Sequence, residues 1–121
     1  MTTVLLIDDD AMYRRALTAF LDATYDIDVV GEAGTGDEAV ELAERLRPDA
    51  AVVDVAMPGV GGLQLAARIR EVLPEVAIVL VTGNVGGVDP QQARAAGVEH
   101  VFTKGDPLPV ENALRALGRR R

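Results

Sequence analysis

The sequence predicts an α/β fold in which a parallel sheet of five strands is covered by helices on both faces. Short apolar runs alternate five times with amphipathic segments of helical length, and the connections between them are short. This alternation is typical of βαβ units, whose strands run parallel. The strand segments are almost continuously apolar, as expected when both faces of a sheet are buried.

The first strand is predicted over residues 3–7 and ends at three consecutive acids. The last of these acids, Asp10, suits the N-cap position of the helix that follows. That helix has apolar residues at helical spacing, and we expect its buried face to contain Tyr13, Leu17, Phe20 and Leu21. A second strand is predicted over residues 28–33.

The second helix begins at the capping-box pair Thr35 and Glu38 and stops before Pro48. Its apolar stripe consists of Ala39, Leu42, Ala43 and Leu46. The third strand, over residues 50–54, contains small and β-branched apolar residues and ends at a carboxylate. The third helix ends near Pro74, and its inward-facing residues are Leu65, Ile69, Val72 and Leu73.

The fourth strand, over residues 76–81, leads into the glycine-rich residues 83–87, which contain little that would hold them rigid. A short helix is predicted over roughly residues 90–96. Asp89 suits its cap, and Pro90 suits its first turn. The fifth strand is predicted over residues 98–103, and the last helix begins near Pro107.

Composition excludes several classes of function. The formal net charge of −7 argues against direct binding of this domain to nucleic acid, which requires a basic surface. The chain has no cysteine, which excludes disulfides and zinc–thiolate sites and is typical of a cytoplasmic protein. No apolar run is long enough to span a membrane, and the first residues do not resemble a signal peptide.

The length of 121 residues predicts one domain over residues 1–121, with ordered structure over about 3–118. The three arginines at 119–121 form the one basic cluster. They are interpreted either as the solvated end of the last helix, where cations suit the helix dipole, or as the start of a linker to a further domain.

Polar side chains follow four of the five predicted strands at the point where each strand ends. They are, in chain order, Asp8, Asp9, Asp54, Thr82 and Lys104. Ligands of open parallel sheets bind at this edge, and the flavodoxin-like strand order 2-1-3-4-5 would place the first and third strands side by side. Each residue alone has an ordinary explanation as a turn cap or a surface charge, but their convergence predicts a functional site.

The chemistry of this set indicates phosphoryl transfer with a divalent cation. Carboxylates about 4 Å apart repel each other by roughly 4 kcal/mol near a protein surface, so the cluster requires a cation or a raised pKa. Magnesium suits a site made of carboxylates, water and a phosphate. Asp54 would then attack phosphorus as a carboxylate nucleophile, while Lys104 and Thr82 bind phosphoryl oxygens.

The sequence resembles the receiver domains of two-component response regulators from Val4 to about Leu117. The matching segments are residues 5–10 (LLIDDD), 52–59 (VVDVAMPG), 81–83 (VTG) and 102–104 (FTK). Each segment is short, but their order and spacing together are highly specific. The turn at residues 57–59 and the Gly-Leu entry to the third helix are similar to regulators with a helix-turn-helix output domain.

The resemblance implies that Asp54 accepts a phosphoryl group from a histidine kinase, and that Thr82 and Lys104 take the switch and countercharge roles. The implied Mg²⁺ ligands are Asp8, Asp9, Asp54 and the backbone carbonyl of Ala56. The domain would catalyse its own modification without being a turnover enzyme. The implied partners are the kinase, a DNA-binding output domain outside this chain and a second copy of the domain in a homodimer.

One departure from the family pattern supports an alternative interpretation. Val101 occupies a position, three residues before Lys104, where the family often has an aromatic residue that couples phosphorylation to surface change. Alternation along the strand puts Phe102 on the opposite face. The alternative function is therefore a receiver-like interaction module that phosphorylation does not switch. A third interpretation is a protein with a related α/β sheet, such as an aspartyl phosphatase or a flavin carrier. Aspartyl phosphatases of the haloacid dehalogenase type carry a second aspartate where this chain has Ala56, and a flavodoxin needs a hydroxyl-rich phosphate loop where this chain has three acids.

Overall fold

The computed structural model describes residues 1–119, with the side chain of Arg119 excepted. Five parallel strands form one sheet in the order β2-β1-β3-β4-β5, which confirms the predicted order. The strands are β1 (Thr2–Ile7), β2 (Ile27–Ala33), β3 (Ala50–Asp54), β4 (Ala77–Thr82) and β5 (Val98–Thr103). Arg120 and Arg121, on which the two interpretations of the arginine cluster depend, lie outside the described residues.

Five α-helices cover the sheet within the described part of the chain. They are α1 (Ala11–Asp22), α2 (Gly36–Leu46), α3 (Gly62–Val72), α4 (Pro90–Ala95) and α5 (Leu108–Arg119). A 3₁₀ turn, Val85–Gly87, precedes α4. The helices and strands agree with the predicted elements, with small differences at their ends.

The predicted helix starts are confirmed by their hydrogen bonds. Asp10 accepts from the backbone N–H groups of Met12 and Tyr13, and Thr35 accepts from that of Glu38. These side chains satisfy amide groups that have no partner inside the helix. Since α1 begins directly after the three acids, its cap also fixes the turn that carries them.

The sheet separates two apolar cores. One core packs between the sheet and α2 and α3, and the other packs between the sheet and α1 and α5. Along β4, Ile78 and Leu80 belong to the first core while Val79 and Val81 belong to the second. This division explains why the strand is apolar at every position, since successive side chains of a strand point to opposite faces.

Two residues predicted to be buried are exposed. Phe20 is 37% exposed because the buried stripe of α1 runs through Leu17 and Leu21, with Tyr13 half-buried, and residue 20 lies beside that stripe. Leu46, in the last turn of α2, is 36% exposed.

The segment from residue 83 to residue 96, named here the β4–α4 segment, packs more sparsely than the rest. Of the described residues of α4, only Ala93 is buried. The glycine-rich stretch nevertheless has local structure, because Gly87 N–H donates to Asn84 O at 3.1 Å and Val88 N–H donates to Val85 O at 3.1 Å.

Candidate functional site

Three carboxylates meet at the carboxyl edge of the sheet. β1 and β3 are neighbours in register, with Ile7 opposite Val53, so the next residues, Asp8 and Asp54, lie side by side. One carboxylate oxygen from each of Asp8, Asp9 and Asp54 lies within 4.8 Å of the others. Asp8 and Asp54 are buried, whereas Asp9 is exposed. This arrangement joins two buried anions and one that solvent can reach.

Lys104 is the cation that faces the two buried carboxylates. Its Nζ lies 2.8 Å from Asp8 Oδ2 and 3.2 Å from Asp54 Oδ2, to which it donates a hydrogen bond. The contact with Asp8 is an ion pair, and apart from this lysine the buried Oδ2 atom of Asp8 has no hydrogen-bond partner among the described residues. One buried oxygen therefore retains capacity for a further ligand.

The other oxygen of each buried carboxylate is held by the following turn. Asp8 Oδ1 accepts from Asp10 N–H at 2.8 Å, and Asp54 Oδ1 accepts from Ala56 N–H at 3.0 Å. Both carboxylates thus have one oxygen fixed by the backbone and one directed at Lys104. These contacts fix the orientation of the groups that sequence analysis selected from the strand ends.

The pKa values of Asp8 and Lys104 are both raised. For Asp8 this favours the neutral form, and for Lys104 it favours the charged form. Burial raises the pKa of Asp8 above 3.8, the negative charge of Asp54 adds to this, and the contact with Lys104 opposes it. Burial lowers the pKa of Lys104, but contacts with Asp8 and Asp54 outweigh it and raise that pKa above 10.5. Lys104 therefore stays cationic at neutral pH, whereas burial disfavours the charged form of Asp8.

Tyr13 is a site residue that sequence analysis assigned to the core. Its ring centroid lies 4.7 Å from Lys104 Nζ, which is within the range of a cation–π contact. Burial raises the pKa of the Tyr13 hydroxyl above 10.0; the charge of Lys104 opposes this, and the charges of Asp8 and Asp54 add to it. The signal in the sequence was the position of an aromatic residue in the helical turn directly after the acids.

Thr82 reaches the same edge, but its hydroxyl is engaged elsewhere. It is 7% exposed, and its Oγ1 accepts from Asn84 N–H at 3.1 Å and lies 3.5 Å from Asn84 O. The backbone of Thr82 also accepts from Lys104 N–H at 2.8 Å. Thr82 therefore links the site to the β4–α4 segment, in the position where the sequence placed it.

The side chains of Val101 and Phe102 lie on opposite faces of the sheet, as predicted. Val101 packs against the core under α2 and α3, and Phe102 packs against the core under α1 and α5. The ring of Phe102 stacks on that of His100 with a centroid distance of 5.5 Å. Phe102 therefore does not occupy the position of the missing aromatic residue.

The family described as the response regulator receiver domain matches residues 4–114, which is most of the chain. The chain belongs to this family. Response regulator GacA of Pseudomonas aeruginosa is 34% identical over 97% of this receiver domain and 54% of its own length. Transcriptional regulatory protein LiaR of Bacillus subtilis is 34% identical over 98% and 57%. The receiver domain thus spans about half the length of these curated relatives.

Solved structures agree with this assignment. A LuxR-family response regulator from Aurantimonas sp. SI85-9A1 superposes with a TM-score of 0.90 at 29% identity, covering 100% of the receiver domain and 88% of that chain. A regulator from Burkholderia pseudomallei, with a phosphorylated aspartic acid and a calcium ion, has a TM-score of 0.80 at 25% identity, covering 94% and 66%. Among residues 1–119, no helix has the length and apolar character needed to cross a membrane.

Proposed function

We propose that this chain is a phosphorylatable receiver domain in which Asp54 accepts a phosphoryl group from a histidine kinase in a Mg²⁺-dependent reaction. The observation that supports this most directly is the group of three carboxylates around one lysine at the switch edge of the sheet. Positioning and charge neutralisation are the main requirements of phosphoryl transfer, and this group can provide both.

The donor set fits a hard divalent cation. Asp8, Asp9, Asp54 and the carbonyl of Ala56 would hold Mg²⁺, and the buried Oδ2 of Asp8, which has no hydrogen-bond partner in the described structure, is one oxygen such an ion would use. The bound ion would supply charge neutralisation at the phosphoryl oxygens.

In the proposed reaction, a carboxylate oxygen of Asp54 forms a bond to phosphorus while the phosphorus–nitrogen bond of a phosphohistidine breaks. The electron pair of that bond goes to the imidazole. Ala56 N–H fixes one Asp54 oxygen, which leaves the oxygen facing Lys104 as the nucleophile. Lys104 then pairs with a phosphoryl oxygen in place of its carboxylate contact.

Thr82 is the proposed link between phosphorylation and the surface. If its hydroxyl turns to donate to a phosphoryl oxygen, it releases Asn84 N–H, which it holds at 3.1 Å. The β4–α4 segment then loses a contact at its first turn. The sparse packing of that segment means that a small change in contacts can shift its conformation.

The longer relatives support a wider proposal for the protein that contains this domain. We infer that residues 3–118 act as one receiver unit in a cytoplasmic protein, that it can pair with a second copy, and that a DNA-binding output domain responds to it. The LuxR-family neighbour supports the choice of a helix-turn-helix output. The domain itself acts as a signalling module and not as a turnover enzyme.

The test is to incubate the chain with Mg²⁺ and acetyl phosphate and to measure its mass. We expect one phosphoryl adduct, lost in Asp54→Asn and retained in Asp28→Asn, which changes an exposed aspartate outside the site. Absence of the adduct in the wild type, or an undiminished adduct in Asp54→Asn, would contradict the proposal. Omitting Mg²⁺ should slow the reaction strongly.

A second candidate is a receiver-like interaction module that phosphorylation does not switch. The observation in its favour is the partly buried valine at position 101, which packs against a core where an aromatic coupling residue is expected. Amide chemical shifts of α4 and β5, recorded with and without beryllofluoride, separate the two functions. A large change there supports the switch and excludes this second candidate.

A further inference from the structure

We propose that Arg14 is a positioning residue that fixes the turn carrying Asp8 and Asp9, and so sets the affinity of the site for Mg²⁺. This inference rests on the proposed function, because it concerns the same metal site. Arg14 lies in the first turns of α1 and touches neither the acceptor carboxylate nor a proposed metal-binding atom.

Two contacts place the Arg14 guanidinium between β1 and β2. Its Nη1 donates to the backbone oxygen of Asp8 at 2.6 Å, and its Nε donates to Glu32 Oε1 at 2.8 Å. The side chain of Arg14 is 15% exposed and that of Glu32 is 29% exposed. A planar group with fixed donors is suited to hold two acceptors at once, and lysine lacks that geometry.

The location of Arg14 indicates a specific role. It shares a helix face with Leu17 and Leu21, since these residues are three and seven positions further along α1. A largely buried cation costs free energy unless it is paired and hydrogen-bonded. Gly34 leaves room for the guanidinium because it has no side chain. A Cβ atom at this residue would lie 3.2 Å from Nη1 of Arg14.

Arg14 completes the set of contacts that hold the acidic turn. Asp8 N–H donates to Ala33 O at 3.0 Å, and Asp8 Oδ1 accepts from Asp10 N–H at 2.8 Å. The Arg14 contact fixes the carbonyl of Asp8, which is bonded directly to the nitrogen of Asp9. The position of the exposed Asp9 carboxylate therefore depends on this arginine.

Positioning and charge predict effects of opposite sign. A positive charge near the cluster repels a divalent cation, so loss of that charge alone would strengthen Mg²⁺ binding. Loss of positioning would weaken it, since groups that orient metal ligands contribute about 10- to 100-fold to affinity. The sign of the change in Arg14→Gln therefore separates the two roles, and Arg14→Lys changes geometry while keeping charge.

The experiment is a Mg²⁺ titration of the 121-residue chain and its variants, followed by calorimetry and by amide shifts at residues 8–10. We expect the Kd for Mg²⁺ to rise about tenfold in Arg14→Gln and to rise by less in Arg14→Lys. At saturating Mg²⁺ the rate of modification by acetyl phosphate should match the wild type, because Arg14 contacts no reacting atom.

Controls separate positioning from general stability. Arg68→Gln breaks an exposed contact with Asp37 at 3.4 Å and should leave the Kd unchanged. Thermal melts identify the temperature at which each variant is folded, and the titrations are done below it. If Arg14→Gln does not fold, Arg14→Lys supplies the test, because it keeps the positive charge and should still raise the Kd.

An unchanged or lower Kd in the folded Arg14 variants, with normal Mg²⁺ binding by the wild type, would overturn the role of Arg14 and leave the proposed function intact. A wild-type chain that binds no Mg²⁺ and forms no adduct would overturn both. A raised Kd accompanied by an equally reduced rate at saturation would place Arg14 in the reaction itself and contradict a positioning role.

Discussion

The acidic edge of the sheet and the β4–α4 segment are neighbouring regions, but the first is densely packed and the second is sparsely packed. At the acidic edge, the turns after β1 and β3 hold Asp8 and Asp54 by backbone hydrogen bonds, above strands in which most side chains are buried. In the β4–α4 segment, Val85 is 41% exposed and Ala93 is the buried residue of a six-residue helix. Thr82, at the end of β4, contacts both regions, since its backbone oxygen accepts from Lys104 N–H and its side-chain oxygen accepts from Asn84 N–H.

Under the proposed function, this difference would allow one small domain to combine chemistry with a response. Phosphoryl transfer requires groups whose positions are fixed before the reaction. A conformational response requires a segment whose alternative states differ by little free energy. In the proposed function, the fixed strand ends would meet the first requirement and the sparsely packed segment would meet the second, so a change at Thr82 would move one region without deforming the other.

The largest expected effect tests the difference in packing directly. Leu80→Ala in β4 should cost about 3–4 kcal/mol of unfolding free energy, since Leu80 is fully buried in a core. Val85→Ala, a few residues later, should change it by no more than about 0.5 kcal/mol because that side chain is largely exposed. Urea denaturation measures both. Equal costs would show that the segment is packed as tightly as the core.

Gly62→Ala should displace the tightly packed backbone at the acidic edge of the sheet. A Cβ at residue 62 would lie 2.5 Å from Val55 Cα and 2.7 Å from Asp54 O, so the backbone that carries the acceptor must shift. We expect a loss of about 1–3 kcal/mol, the usual cost of overpacking, together with slower adduct formation at Asp54. Normal adduct formation in a destabilised variant would show that the acceptor tolerates displacement.

Asp8→Asn tests the electrostatics of the acidic edge, because it should change how the stability depends on pH. Because burial raises the folded-state pKa of Asp8 above 3.8, the contribution of Asp8 to the stability of the wild type falls as pH rises through the window between 3.8 and the raised value. With metal removed by a chelator, Asp8→Asn should therefore gain stability relative to the wild type as pH rises through that window. Urea midpoints across the window measure this, with Asp28→Asn as control. A constant difference would contradict it.

The smallest expected effect is that of a substitution in the β4–α4 segment. Gly86→Ala should stabilise the chain by about 0.4–1 kcal/mol, since the site is open and its nearest neighbour is Asn84 Oδ1 at 3.5 Å. The gain comes from a less flexible unfolded chain. Amide exchange in the 3₁₀ turn should slow, and the shift changes on addition of beryllofluoride should become smaller. Faster exchange would show that the turn cannot accommodate alanine.

The sequence alone predicted the sheet order and the meeting of Asp8, Asp54 and Lys104, because these follow from strand periodicity and from the parallel topology. It also predicted the caps of α1 and α2, whose signals are local. These features depend on backbone geometry, which short patterns describe well.

Contacts between side chains of different elements were harder to predict. The pairing of Tyr13 with Lys104, and of Arg14 with Glu32, depends on how far α1 is rotated against the sheet. The same rotation leaves Phe20 exposed. An arginine at the spacing of a buried stripe was nevertheless a usable signal, since such a residue must find partners.

The position of Lys104 after the last strand has a consequence for biosynthesis. A chain emerging from the ribosome exposes Asp8 first and Asp54 midway, but it lacks the lysine that faces them until β5 has been made. A partial chain therefore cannot assemble the site. A divalent metal ion that binds only the folded domain would stabilise that domain by about 2.7 kcal/mol at a concentration of 100 times its Kd. Such binding favours complete chains over truncated ones.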